Sequence, residues 1–116
     1  MQLGASLPVG DIGTGPAVMK DYAQAVEGLG FDFLVGPDHV LGADPAKIPN
    51  GVRMGSNATA YHDPFVLFGY LSGVTKKIEF VAGVLILAQR QAALVAKQAA
   101  CLDELSGGRF RLAMRV

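Results

Sequence analysis

From Phe80 the chain reads Phe-Val-Ala-Gly-Val-Leu-Ile-Leu, with no charge and no alternation of apolar and polar positions. A strand without a polar face is buried on both sides, which predicts a parallel sheet covered by helices. That strand is predicted over Ile78 to Leu87. The segment before it changes period: Val66, Leu67, Tyr70, Leu71 and Val74 recur at helical spacing. Asp63 can cap this helix, and Pro64 suits its first position, where no backbone donor is missed. Lys76 and Lys77 follow where cations favour a helix C-terminus.

The rest of the chain falls into place around that strand. Gln2 to Pro8 is a short strand candidate, and Val9 to Gly15 a glycine-punctuated loop. Pro16 opens a helix whose apolar stripe is Val18, Tyr22, Val26 and Leu29, with Lys20, Asp21, Gln24 and Glu27 mostly off it. Gly30 suits a left-handed cap. Phe31 to Gly36 is a second strand, stopped by Pro37, with Asp38 and His39 at its C-terminal end. Leu41 to Tyr61 is long and irregular, a length that in compact domains usually signals function or mobility. Gln91 to Leu105 is a helix with Leu94, Val95, Ala99, Leu102 and Leu105 facing inward, and Ser106-Gly107-Gly108 ends it. Arg109 to Val116 is a last strand. The order is βαβαβαβ, an α/β pattern that implies parallel pairing and right-handed crossovers. An open doubly wound sheet and the N-terminal half of a TIM (β/α)8 barrel both fit; a whole barrel needs ~250 residues.

Composition narrows the possible partners. At 116 residues the chain suits a single small domain. Its formal net charge of +0 favours neither nucleic acid nor an acidic membrane surface. No apolar run reaches the ~18 residues that span a bilayer, and the N-terminus lacks a secretory pattern. A cytoplasmic protein is expected. Cys101 is the single cysteine, so no intrachain disulfide forms; in its alanine-rich helix it reads as a small buried hydrophobe. Gly13-Thr14-Gly15 has neither the dinucleotide nor the Walker spacing. Asp38, His39, His62 and Asp63 lack a metal-ligand spacing, so no metal is expected.

Several stretches resemble the bacterial luciferase-like monooxygenase family. They are Gly30-Phe31-Asp32-Phe33 with Pro37-Asp38-His39, then Asp63-Pro64-Phe65, then Ala82-Gly83-Val84-Leu85. Ala96-Lys97-Gln98-Ala99-Ala100 follows, and the most specific is Leu102-Asp103 through Leu105-Ser106-Gly107-Gly108-Arg109-Phe110. The resemblance runs over nearly the whole chain in family order, and it implies the N-terminal half of a (β/α)8 barrel. Two places depart from the family pattern: Arg90-Gln91-Ala92 stands for Arg-His-Pro, and Ala113-Met114-Arg115-Val116 for a glycine-rich strand end. The family includes F420-dependent oxidoreductases, so F420 is the cofactor the resemblance implies, with FMN as the alternative, acting on a small-molecule substrate.

His39 is the leading catalytic candidate. It follows a strand end, where barrel loops build active sites, and histidine titrates in the range for proton transfer near neutral pH. The resemblance implies that role for His39, with Asp38 beside it. It also implies a non-proline cis peptide at Gly83-Val84 that backs the cofactor ring; the bland alternative is a glycine packed on a helix. Arg90 is a candidate for a cofactor phosphate or carboxylate, or else a solvated surface arginine. Asp103 and Glu104 read as solvent-facing or paired with Arg109 or Arg111.

Four strands leave two unpaired edges and one uncovered face, on which Val84, Ile86, Phe33 and Leu112 are expected to lie. A homo-oligomer, or completion by a C-terminal half-barrel, is therefore expected. Two functions remain open: a flavin- or F420-dependent oxidoreductase, or a catalytically inactive relative serving as an oligomeric scaffold or binding module.

Overall fold

A computed structural model describes residues 1–42, 44–47 and 60–116. Most of the long irregular stretch read in the sequence lies outside the described residues. The elements are β1 (Gly4–Ser6), α1 (Pro16–Gly28), β2 (Phe33–Gly36), α2 (Pro64–Ser72), β3 (Glu79–Ile86), α3 (Ala92–Ser106) and β4 (Phe110–Arg115). Short 3-10 turns span Pro45–Lys47 and Leu87–Gln89. The four strands form one sheet in the order β1-β2-β3-β4, and each neighbouring pair is parallel. This is the alternating α/β order that the sequence predicts.

Local chemistry sets the element ends. The Asp63 carboxylate accepts the Val66 amide at 3.1 Å, capping α2 as expected. Proline opens both α1 and α2. At the end of α3, Gly107 takes φ +71°, and the Gly108 amide returns to the Asp103 carbonyl at 2.8 Å. That left-handed closure asks for glycine, which accounts for the Ser-Gly-Gly sequence.

One side of the sheet meets the helices. Leu34, Phe80, Ala82 and Leu85 from the strands pack with Phe68 and Leu71 of α2 in a single buried cluster. The Phe68 and Phe80 ring centroids are 5.2 Å apart. A Cβ at Gly36 would sit 2.8 Å from the Phe68 ring, so glycine lets α2 approach β2.

The helix faces differ from those read in the sequence. In α1 the buried residues are Met19, Ala23 and Val26, while Leu29 is exposed. Small Ala23 is fully buried in the core, and Tyr22 stands to one side, its hydroxyl donating to the Ser6 carbonyl at 2.7 Å. In α2, Phe65, Leu67, Phe68 and Leu71 are buried, and Val66 and Tyr70 are exposed. Lys76 and Lys77 lie beyond the helix in a loop. In α3, Val95 and Leu102 are buried, whereas Leu94 and Leu105 face out.

Strand β3 is not buried on both sides. Ala82 pairs with Leu112 and Leu85 with Met114, so three steps on β3 match two on β4. This is a bulge, with Gly83 and Val84 together opposing a single residue. The extra residue slips the alternation, so Ala82 and Leu85 both face the helices although an odd number of positions separates them. Val84 is 45% exposed. Leu112, expected on the open face, instead packs against the core because it pairs with Ala82.

Candidate active site

The open face of the sheet is the one opposite the helices. A Cβ built on Gly83 would lie 2.9 Å from Val35 Cγ1 and 3.7 Å from Val81 Cγ1, which places these three residues on that face. The Phe33 ring lies across Gly4 on the same side, where a Cβ would meet it at 2.0 Å. The peptide between Gly83 and Val84 is cis, in the place the family resemblance implies. Small residues and valines thus make a low apolar surface around the bulge. Lower on the strands, Arg111 pairs with Glu79 and donates to Gln2 Oε1 at 3.1 Å. Asp103 and Glu104 are exposed.

The C-terminal rim of the sheet carries the other candidates. Asp38 follows β2 and is 2% exposed. Its Oδ2 accepts the Ile86 amide at 3.0 Å and Arg90 Nε at 3.0 Å; its Oδ1 accepts Arg90 Nη2 at 2.5 Å. Arg90 Nη2 also donates to Asp63 Oδ2 at 2.8 Å. The bond to Asp38 holds the Arg90 pKa above its ordinary value, against the opposing effect of burial and with help from Asp63. The guanidinium lies 5.7 Å from the Phe65 ring centroid. Arg90 is therefore an inward-turned ion-pair residue; the sequence left it between a cofactor ligand and a solvated side chain.

His39 is half-buried at this rim, its ring 4.9 Å from that of Tyr61. Tyr61 also borders a small apolar pocket with Leu7, Pro37, Pro64 and Phe68. His62 points elsewhere, its Nε2 2.8 Å from the Thr14 carbonyl oxygen. The structure thus separates the two histidines, and it joins the loop of His39 to the end of β3 through Asp38. Among the described residues, no three His, Cys, Asp or Glu side chains gather as a metal site.

What sequence reasoning missed is the connection itself. Asp38 and Arg90 lie 52 positions apart, and no periodicity links them. The available signal was the family resemblance, which holds Asp38 in Pro-Asp-His and retains the arginine, Arg90, at the start of a segment that otherwise departs from the family pattern.

Parallel strands alternating with helices, the helices on one face and a bulge in the third strand, define a part of a (β/α)8 barrel. The chain belongs to the luciferase-like monooxygenase family, whose model matches residues 2–114. Among solved structures it is similar to the coenzyme F420-dependent tetrahydromethanopterin reductase of Methanopyrus kandleri, at TM-score 0.71 and 20% identity, over 97% of this chain and 26% of that one. It is also similar to the oxygenating constituent of 3,6-diketocamphane monooxygenase from the Pseudomonas putida CAM plasmid, in complex with FMN. There the TM-score is 0.75 at 18% identity, over 99% of this chain and 29% of that one. The monooxygenase RslO1 of Streptomyces bottropensis matches at TM-score 0.73 and 19% identity, over 98% and 32%. The chain therefore spans between a quarter and a third of the length of these neighbours. No curated protein matches it. Among the described residues, no helix is long and apolar enough to cross a membrane.

Proposed function

We propose that the chain is the N-terminal part of an F420-dependent oxidoreductase, with FMN as the alternative cofactor and a small molecule as substrate. The observation that carries this reading is the Gly83-Val84 bulge, which presents a low apolar surface on the open face. One hydrogen-bonded carboxylate joins it to the loop of His39. A flat ring fits against such a surface, because Gly83 has no side chain and Val35, Val81 and Val84 flank it. When bound, the cofactor supplies the two-electron transfer. His39 accepts or donates the accompanying proton at its imidazole. Val84 shields the ring edge from water. Arg90, already shared between Asp38 and Asp63, supports this arrangement from behind.

Fluorescence titration with F420 and with FMN tests the reading. Binding of either is expected, with F420 favoured. In an active preparation, His39→Ala is expected to abolish turnover while the circular dichroism stays that of the parent. Full turnover by that variant would remove His39 from the mechanism. Binding of neither cofactor would favour an inactive scaffold or binding module.

Edge strands β1 and β4 and the open face leave surface for a second copy or a completing half-barrel. Self-association at micromolar concentration is expected in sedimentation velocity, and a monodisperse monomer would contradict it.

A further inference from the structure

One guanidinium ties together three parts of the C-terminal rim. Arg90 grips both oxygens of Asp38 and one oxygen of Asp63. Asp38 and Asp63 are the two feet of the excursion that leads from β2 to α2: the first precedes His39, the second caps α2. Through its Oδ2, Asp38 also holds the amide of Ile86, two residues past Val84 on β3. The geometry uses the planar fork of arginine, with Nε and Nη2 each taking one oxygen of Asp38. A lysine ammonium offers the charge without that fork.

We propose that Arg90 is a positioning residue, which through Asp38 and Asp63 fixes His39 relative to the Gly83-Val84 bulge without touching cofactor or substrate. This inference rests on the reading of His39 and the bulge as the reacting edge. The physical reason is the burial of Asp38. Deprived of Arg90, its carboxylate is a buried group without a counter-ion, which favours turning it toward water. That movement weakens the bond to Ile86 and frees the residue that follows, which is His39. The Asp63 link adds a second constraint, because it closes the far foot of the same excursion and so limits how the near foot can relax.

The test needs no cofactor. The chain has two histidines, His39 and His62, so their ring resonances are separable by NMR with His62→Gln as the assignment control. Arg90→Lys and Arg90→Gln are expected to speed exchange of the Ile86 amide by about tenfold or more, the loss of a hydrogen bond to a charged group. Both are expected to move the His39 ring resonances, and by more than those of His62, which neighbours Asp63 but is held separately at the Thr14 carbonyl. Asp63→Asn keeps a capping side chain on α2 but gives up the charge, so it is expected to shift His39 in the same direction by less. Arg111→Gln, which breaks the Glu79 pair lower on the sheet, is expected to move neither readout. A general loss of stability would not discriminate between His39 and His62 in this way.

A folded Arg90→Lys or Arg90→Gln protein with parent-like His39 resonances and Ile86 exchange overturns the proposal. Should neither fold, Asp63→Asn decides it: unmoved His39 resonances overturn it equally. Titration of the parent chain with F420 and FMN stands apart. Failure to bind either removes the redox reading while the NMR result still reports on Arg90.

Discussion

The two ends of the sheet are both closed by charged side chains, in different ways. At the N-terminal end, alongside the Arg111–Glu79 pair, Glu27 and Arg109 bond to neutral groups. Glu27 Oε1 receives the amides of Lys76, Lys77 and Ile78 at 2.8, 2.6 and 2.9 Å. Arg109 donates to the carbonyls of Ser106, Ser72 and Ile78 at 2.7, 2.9 and 3.1 Å, and to Thr75 Oγ1 at 3.0 Å. Its guanidinium also lies 5.3 Å from the Phe80 ring centroid. At the C-terminal end, Arg90 bonds chiefly to two carboxylates, one of them next to His39. A charge bonded to backbone freezes the path of a loop. A charge shared between side chains instead sets how those side chains lie. In (β/α)8 barrels the N-terminal face serves stability, and the loops of the C-terminal face build active sites.

The largest effect that separates the two ends is expected at Arg109. Arg109→Ala withdraws donors from several acceptors at once, and Thr75 among them is buried. The cost is expected to be about 3 kcal/mol or more, because partners left unsatisfied cost more than a bond is worth. Urea unfolding followed by circular dichroism measures it. The ring resonances of His39 should stay where they are in the folded fraction, since Arg109 closes the opposite end. A loss below about 1 kcal/mol, within the range of one ordinary hydrogen bond, would erase the distinction between a rigid floor and an adjustable rim.

The same contrast explains what could be read from the sequence. Element order, the Asp63 cap and the parallel sheet were legible, because each depends on residues close together in the chain. In α1 the expected Val26 is buried, but Met19 and Ala23 take the places expected of Val18 and Tyr22, because an alanine carries too little apolar signal to mark a buried face. Phe65 and Phe68 were passed over in a helix so apolar that spacing could not choose its face. Leu112 turns to the core because it pairs with Ala82, ahead of the bulge, and the register between two strands cannot be read from either strand alone. The place of Gly83-Val84 came from family resemblance and not from periodicity. Glu27, Arg109 and the Arg90 cluster join residues between 27 and 52 positions apart, apart from the local Ser106 contacts of Arg109. Such bonds leave no local trace; a glutamate on a helix looks solvated until its partner loop is folded against it.

Glu27 gives the smaller effect and the sharper test. Partial burial alone would raise its pKa, but the amides of Ile78, Lys77 and Lys76, aided by the charge of Arg109, outweigh it and hold the carboxyl below its ordinary value. A carboxyl whose pKa is lower folded than unfolded stabilises the fold above the unfolded value, and that contribution fades as pH falls through the folded one. Glu27→Gln keeps an oxygen for the amides but loses the charge, so it is expected to cost roughly 1 kcal/mol near pH 7. Other carboxylates protonate alike in parent and variant, so the difference between the two unfolding curves isolates Glu27. That difference should hold steady from pH 7 down to about 5 and shrink below the ordinary glutamate pKa of about 4.3. A gap that persisted undiminished to pH 3 would mean that the shape of the side chain, and not its charge, holds the loop before β3. The proposed contrast between charge on backbone at one end and charge on charge at the other would then lose its clearest member.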